Sequence, residues 1–190
     1  MLRRRSLVAL ALVLACDDPG AAPPEEEQVL PELELCDPVR AWDEDHAALE
    51  GAFQAALNDL RAEGGQCGQL VFPPAPPVYL DPALRCVARL HSQDMVAREY
   101  LGEVDPDGLG TAFRLGEVGY EAATFAENVG FGYEDPAAAL ALWADSSANC
   151  WKLFARELTD IGVGVVDGPF APKDRPETDG LYWTVTFAAR

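Results

Sequence analysis

Basic residues are scarce in this 190-residue chain: 14 Lys and Arg stand against 32 Asp and Glu, for a formal net charge of −18. Three of the bases, Arg3, Arg4 and Arg5, sit at the extreme N-terminus. Without them the remainder carries 11 bases against 32 acids, or −21. Nucleic-acid binding depends on Lys and Arg neutralising phosphates, so no nucleic-acid partner is expected. Electrostatic docking on an anionic membrane surface is disfavoured for the same reason. Histidine is rarer still, with only His46 and His91, and no Cys-x-x-Cys occurs. A zinc finger or a thioredoxin-type redox site is therefore unsupported. The chain shows no internal repeat.

What is present begins with an export signal. Met1 to Ser6 is a basic patch, Leu7 to Ala15 is an unbroken apolar run, and Cys16 follows at once. Nine residues span about 14 Å as a helix, well short of a bilayer core of roughly 30 Å. A charged start, a short apolar stretch and a small residue before the break read as a secretory signal. Val13-Leu14-Ala15-Cys16 resembles the lipobox of bacterial lipoproteins, which implies cleavage before Cys16 and lipidation of that residue; the alternative is an ordinary secretory signal that contains a Cys. From Asp17 to about Glu34 the chain is charged and Pro-rich, with Pro19, Pro23, Pro24 and Glu25-Glu26-Glu27, and reads as a disordered tether. The organisation expected is a signal peptide over 1–15, a lipidated Cys and acidic tether over 16–42, and a folded domain over 43–190. The location expected is the bacterial cell envelope, outside the cytoplasm, with lipid on Cys16 holding the protein to the membrane, or otherwise secretion.

With Cys16 assigned to lipid, Cys36, Cys67, Cys86 and Cys150 remain. An even number of widely spaced cysteines in an exported chain favours two disulfides, with three pairings possible. The loop-entropy relation assigns bridges of this span about 4–5 kcal/mol each.

The folded part reads as helices first and strands last. From Asp43, Leu49, Phe53, Leu57 and Leu60 recur at helical spacing until Gly64-Gly65. A Pro-rich loop follows from Phe72 to Val78. Asp81-Pro82 opens a second helix that carries Leu84, Val87, His91 and Met95 on one face. A short third helix is expected over Thr111 to Val118, and Asp135-Pro136 opens a fourth through Leu140 and Trp143. Ile161 to Val166 and Leu181 to Phe187 are β-branched and aromatic and read as strands, with a loop over 167–180. This order predicts an α+β layer architecture.

Local motifs carry little chemistry. His91-Ser92-x-Asp94 cannot converge as a triad, because only i,i+3 and i,i+4 neighbours meet on a helix. A His on an apolar face reads as a hydrogen-bonded core residue. Gly162-Val163-Gly164 lies inside a strand with no helix after it, so it is no nucleotide loop.

Several stretches, in order, resemble the CAP superfamily (cysteine-rich secretory proteins, antigen 5 and pathogenesis-related proteins, also called SCP domains). They are Asp81 through His91-Ser92-Gln93-Asp94-Met95, Tyr100 through Asp105-Pro106-Asp107-Gly108, Arg114-Leu115, Gly119-Tyr120, Glu127-Asn128-Val129, Trp143, Ser146 to Cys150, Thr159 to Gly164, and Tyr182-Trp183-Thr184. The resemblance covers roughly residues 45–188. It implies an α-β-α sandwich around a mostly antiparallel sheet with an open groove. It also implies disulfides Cys67–Cys150 and Cys36–Cys86.

In many members two His and two Glu line the groove and can hold a divalent metal. Carried over, the first His falls on Glu103 and the Gly-His pair on Ala148-Asn149. The first Glu is kept as Glu127, and the second falls near Ser146, beside Asp145. Both His are absent. Glu103, Glu127 and Asn149 present oxygen and amide groups, which suit calcium or magnesium better than zinc. The resemblance thus leaves three readings: a wet cleft whose metal site has decayed, a hard-cation site using Glu127 and Glu103, and an acid–base pair of those two carboxylates. The first leads to a non-enzymatic, membrane-tethered module that binds a lipid-like, cell-wall or protein ligand and needs no cofactor. The last leads to an envelope hydrolase.

Overall fold

A computed structural model describes residues 29–171 and 176–190. The signal, Cys16 and most of the tether lie outside the described residues, as does part of the loop expected over 167–180. A 3-10 helix, Glu34–Val39, comes first. Helix α1, Glu44–Glu63, starts where the Asp43 carboxylate accepts the Asp45 and His46 backbone N–H groups, and it ends at Gly64 with φ of 74°. The hairpin β1, Gly65–Cys67, and β2, Leu70–Phe72, follows, and then β3, Tyr79–Leu80. Helix α2, Pro82–Ala97, is capped by Asp81, which accepts from Ala83 and Leu84, with Pro in the first turn. Helix α3 is Thr111–Glu117 and strand β4 is Thr124–Phe131. Helix α4, Pro136–Asp145, is capped by Asp135, and α5 is Cys150–Phe154. Strands β5, Asp160–Phe170, and β6, Thr178–Ala189, close the chain.

The four-stranded sheet has the order β3-β5-β6-β4, with β5–β6 and β6–β4 antiparallel and β3–β5 parallel. Alternation along β5 and β6 sorts side chains onto two faces. Ile161, Val163, Val165, Trp183, Val185 and Phe187 join one core with Phe53 and Leu57 of α1, Trp143 of α4 and Leu153 of α5. On the opposite face α2 rests directly on the glycines of β5. A Cβ added at Gly162 would lie 2.0 Å from the Leu84 carbonyl carbon, and one at Gly164 would lie 2.4 Å from that of Ala88. The Gly-Val-Gly stretch is therefore a helix seat. The α-β-α sandwich is the expected architecture, and α1 to α4 begin and end within a residue or two of their sequence signals.

The differences have physical causes. Strand β4 has Glu127-Asn128 at its centre, so it lacks the apolar alternation that reveals a strand. The elements β1, β2, β3 and α5 span two to five residues, too few for any period to show. The expected 167–180 loop is shorter, because β5 runs on to Phe170 and β6 begins at Thr178. The packed body also reaches back past the expected boundary at Asp43. Leu30, Cys36 and Val39 are buried against Leu84, Cys86 and Val87 of α2, where a polar composition alone suggested tether. Cys36–Cys86 fastens the 3-10 helix to α2, and Cys67–Cys150 fastens the hairpin to α5. Both bridges are the pairs implied by the resemblance.

Candidate functional site

Glu127 is the centre of the arrangement. Its register opposite Thr186 of β6 turns its side chain to the α2 face of the sheet, where it is fully buried. That face is polar rather than apolar at this point. Thr186 Oγ1 donates to Glu127 Oε1 at 2.9 Å, and Ser92 Oγ bonds both the Gly164 carbonyl and Thr184 Oγ1 at 2.9 Å. Arg114 of α3 donates through Nη2 to Glu127 Oε2 at 2.6 Å and to the Glu103 carbonyl at 2.9 Å. His91 of α2 brings Nδ1 to 3.2 Å from Oε2, within ion-pair range but off the line of a hydrogen bond. Burial raises the proton affinity of Glu127. The opposing effects of His91, the Arg114 charge and the Thr186 hydroxyl are larger and hold it below the usual carboxylate range.

Glu103 lies in the loop between α2 and α3 and is about half exposed. Its Oε1 accepts from Lys152 Nζ of α5 at 2.7 Å. Lys152 is buried, and its ammonium also donates to the Glu127 backbone carbonyl. That carbonyl belongs to β4, an edge strand, so a side chain supplies the partner that a neighbouring strand would give. Asn149 precedes α5 and uses its backbone: its carbonyl accepts from Asn128 Nδ2 at 3.4 Å, and its side chain makes no capping bond. Asn128 Oδ1 is buried without a hydrogen-bond partner. Ser146 is half-buried and Asp145 exposed, and neither side chain is tied to Glu127.

The structure thus brings the Glu103 carboxylate and the Glu127 backbone carbonyl to one ammonium, that of Lys152, but does not make the two glutamates a carboxylate pair. Each has its own cation. A pair sharing a proton needs one carboxyl with raised affinity, and Glu127 is shifted the other way. The donor set does not fit a divalent metal either. Both oxygens of Glu127 are taken by Thr186 and Arg114, and the Lys152 ammonium bonds Oε1 of Glu103. Among the described residues no group of three or more His, Cys, Asp or Glu is placed to hold a metal ion.

Arg114, Lys152, His91 and Thr186 are the site residues that sequence reasoning missed. His91 is buried, as expected of a core histidine, yet it touches the site rather than a hydrophobic core. Arg114 and Lys152 reach Glu127 across 13 and 25 residues of chain, spacings with no local meaning. The one available hint was the rarity of bases: few are spent inside a domain this acidic without a partner.

Known proteins share this arrangement of elements. The sequence profile of the cysteine-rich secretory protein family, CAP, matches residues 54–187. Solved structures with a similar fold include an extracellular protein containing an SCP domain from Bacillus anthracis, at 21% identity and TM-score 0.56 over 78% of this chain and 44% of that one. An outer surface protein from Borrelia burgdorferi aligns at 15% identity and TM-score 0.54, over 78% and 94% of the two chains. A cysteine-rich secretory protein from Staphylococcus aureus aligns at 17% identity and TM-score 0.53, over 77% and 40%. The chain spans less than half the length of the Bacillus and Staphylococcus proteins. No curated protein matches the sequence significantly. A profile match over more than half of the chain, on a sandwich with these strands and bridges, means that the chain belongs to the CAP family.

Proposed function

We propose that this protein is a non-enzymatic binding module working outside the cytoplasm and held to the membrane by lipid on Cys16. The observation that carries the reading is the internal neutralisation of the groove. Arg114 and Thr186 occupy the Glu127 carboxylate and hold it below the usual carboxylate range, and Lys152 bonds that of Glu103, so neither glutamate stands as a free carboxyl beside the other. What remains is a disulfide-fastened sandwich, suited to recognising a lipid-like, cell-wall or protein ligand. The extracellular and outer-surface location of the structural relatives supports the placement.

The test is co-sedimentation of the purified, oxidised protein with peptidoglycan and with envelope lipid, together with chromatographic analysis of released products. Saturable binding without product is expected. Turnover that disappears in Glu127→Gln would defeat the reading and restore the hydrolase. Anchoring is tested separately by detergent partitioning, where Cys16→Ser should move the protein from the detergent to the aqueous phase.

A further inference from the structure

We propose that the loop between α2 and α3, residues 99–110, is a salt-latched lid over the buried centre of His91, Glu127 and Arg114. The inference goes beyond the binding-module reading and depends on no ligand.

The first observation is how little apolar contact holds the loop. None of residues 101–110 is buried, and Leu101, Val104 and Leu109 turn much of their surface to water. A segment without buried apolar surface belongs to the low-stability end of a fold. Its tip is nevertheless one body. The Asp105 carboxylate accepts the Asp107 and Leu109 backbone N–H groups at 2.9 Å, and the Asp105 N–H donates to the Leu109 carbonyl at 3.0 Å. Such a tip swings as a unit rather than fraying.

The second observation is that the fastening is mainly ionic. Arg98, at the end of α2, bonds Asp105 at 3.1 Å and Asp107 at 2.6 Å while holding Asp94 of its own helix at 2.9 Å. On the other side, Glu103 is held by the two cations that also serve Glu127. Arg114 Nη2 donates to the Glu103 carbonyl at 2.9 Å and to Glu127 Oε2 at 2.6 Å. Lys152 Nζ donates to Glu103 Oε1 at 2.7 Å and to the Glu127 backbone carbonyl. Lid and centre share their cations, so a displacement of Glu103 is felt at Glu127. Ion pairs with exposed partners are individually weak and are screened by salt.

The third observation is the pivot. Glu99 has φ of 54°, the one positive value at a non-glycine position among the described residues. A side chain is disfavoured in that conformation, so the closed loop carries strain at the point where it leaves the helix. Directly after it, Tyr100 sets its ring 6.1 Å from that of His91 and donates its hydroxyl to Asp94 at 2.6 Å. A swing about Glu99 with the Arg98 latch released carries Tyr100 away and uncovers His91, which is 1% exposed when the loop is shut.

Two readouts on the oxidised protein test this. One is hydrogen exchange of the 101–110 amides against those of β5 and β6. The other is the rate at which diethyl pyrocarbonate acylates His91, mapped by mass spectrometry and divided by the rate for N-acetylhistidine in the same buffer. The loop amides should exchange roughly a hundredfold faster than the strand amides. Acylation of His91 should rise several-fold between about 20 mM and about 1 M NaCl. In low salt Arg98→Met should raise it roughly tenfold, and Asp107→Asn, at an exposed position, roughly twofold, with strand exchange unchanged in both. Loop amides as protected as the strands overturn the proposal. So does a loop that opens while His91 acylation stays the same in salt and in both variants. Faster acylation matched by equally faster strand exchange reports global unfolding and overturns it as well. If the rates behave as stated but the protein fails to sediment with envelope material, the binding-module reading falls alone.

Discussion

The seating of α2 on β5 makes Gly162→Ala a sharp perturbation. The new Cβ would stand 2.0 Å from both the carbonyl carbon and the oxygen of Leu84, and 2.5 Å from the Arg85 nitrogen. Ordinary contact is near 3.5 Å, and helix backbone cannot rotate aside as a side chain can. The helix must therefore retreat by about 1.5 Å. Overpacking of this kind costs about 1–3 kcal/mol, and the backbone contact places Gly162→Ala near 3 kcal/mol. Relief from the strand glycine returns less than about 1 kcal/mol of it. For a domain of this size, 2–3 kcal/mol corresponds to a melting point about 4–12 °C lower. The retreat also pulls His91 off Glu127, now 3.2 Å away, and Ser92 off the Gly164 carbonyl and Thr184. Denaturant melts of the oxidised protein measure the loss, and Gly51→Ala serves as control. Gly51 is exposed in α1 with open space around it, so that change should stabilise by about 0.5–1 kcal/mol. A Gly162→Ala protein within about 0.5 kcal/mol of wild type would refute the close seating of the helix.

Three further outcomes are expected. Glu127 titrates below its ordinary value of 4.5, so its interactions contribute stability above that pH, and the contribution is lost as the pH falls through the lowered folded value. Glu127→Gln should therefore cost about 2–3 kcal/mol at neutral pH, and its difference from wild type should shrink steadily in acid melts below about pH 4.5. Removing the 50-residue bridge with Cys36→Ser/Cys86→Ser should cost about 4 kcal/mol by chemical denaturation. Arg61 is fully buried, and burial lowers its pKa to about 10; it donates to the carbonyls of Pro76, Leu153, Ala155 and Leu158. Arg61→Met should cost about 3–5 kcal/mol in equilibrium unfolding, and Arg61→Lys should recover only part, since one ammonium cannot reach four fixed carbonyls.

Much of the fold was legible because its signals are local. Asp43, Asp81 and Asp135 announce three helix starts through side chains that bond the backbone two or three residues on. The periodicity of Leu49, Phe53 and Leu57 shows which face of α1 is buried. The alternation of Ile161, Val163 and Val165 shows which face of β5 meets that core. The cysteine count limited the bridges to three arrangements, and family resemblance selected the pair that forms.

The tertiary structure alone decided what the candidate site is. Sequence reasoning placed Glu103 and Glu127 in one groove and left them free to bind a metal or share a proton. Their partners arrive from elsewhere: Arg114 from α3, Lys152 from α5, and the His91 ring across the sheet face from α2. A charge is switched off by whatever lies within a few ångström in space, and sequence spacing carries no record of such distances. The same holds for the acidic excess, which sequence showed only as a total. Folding concentrates part of it, Asp94, Asp105, Asp107 and Glu117, along one cavity wall.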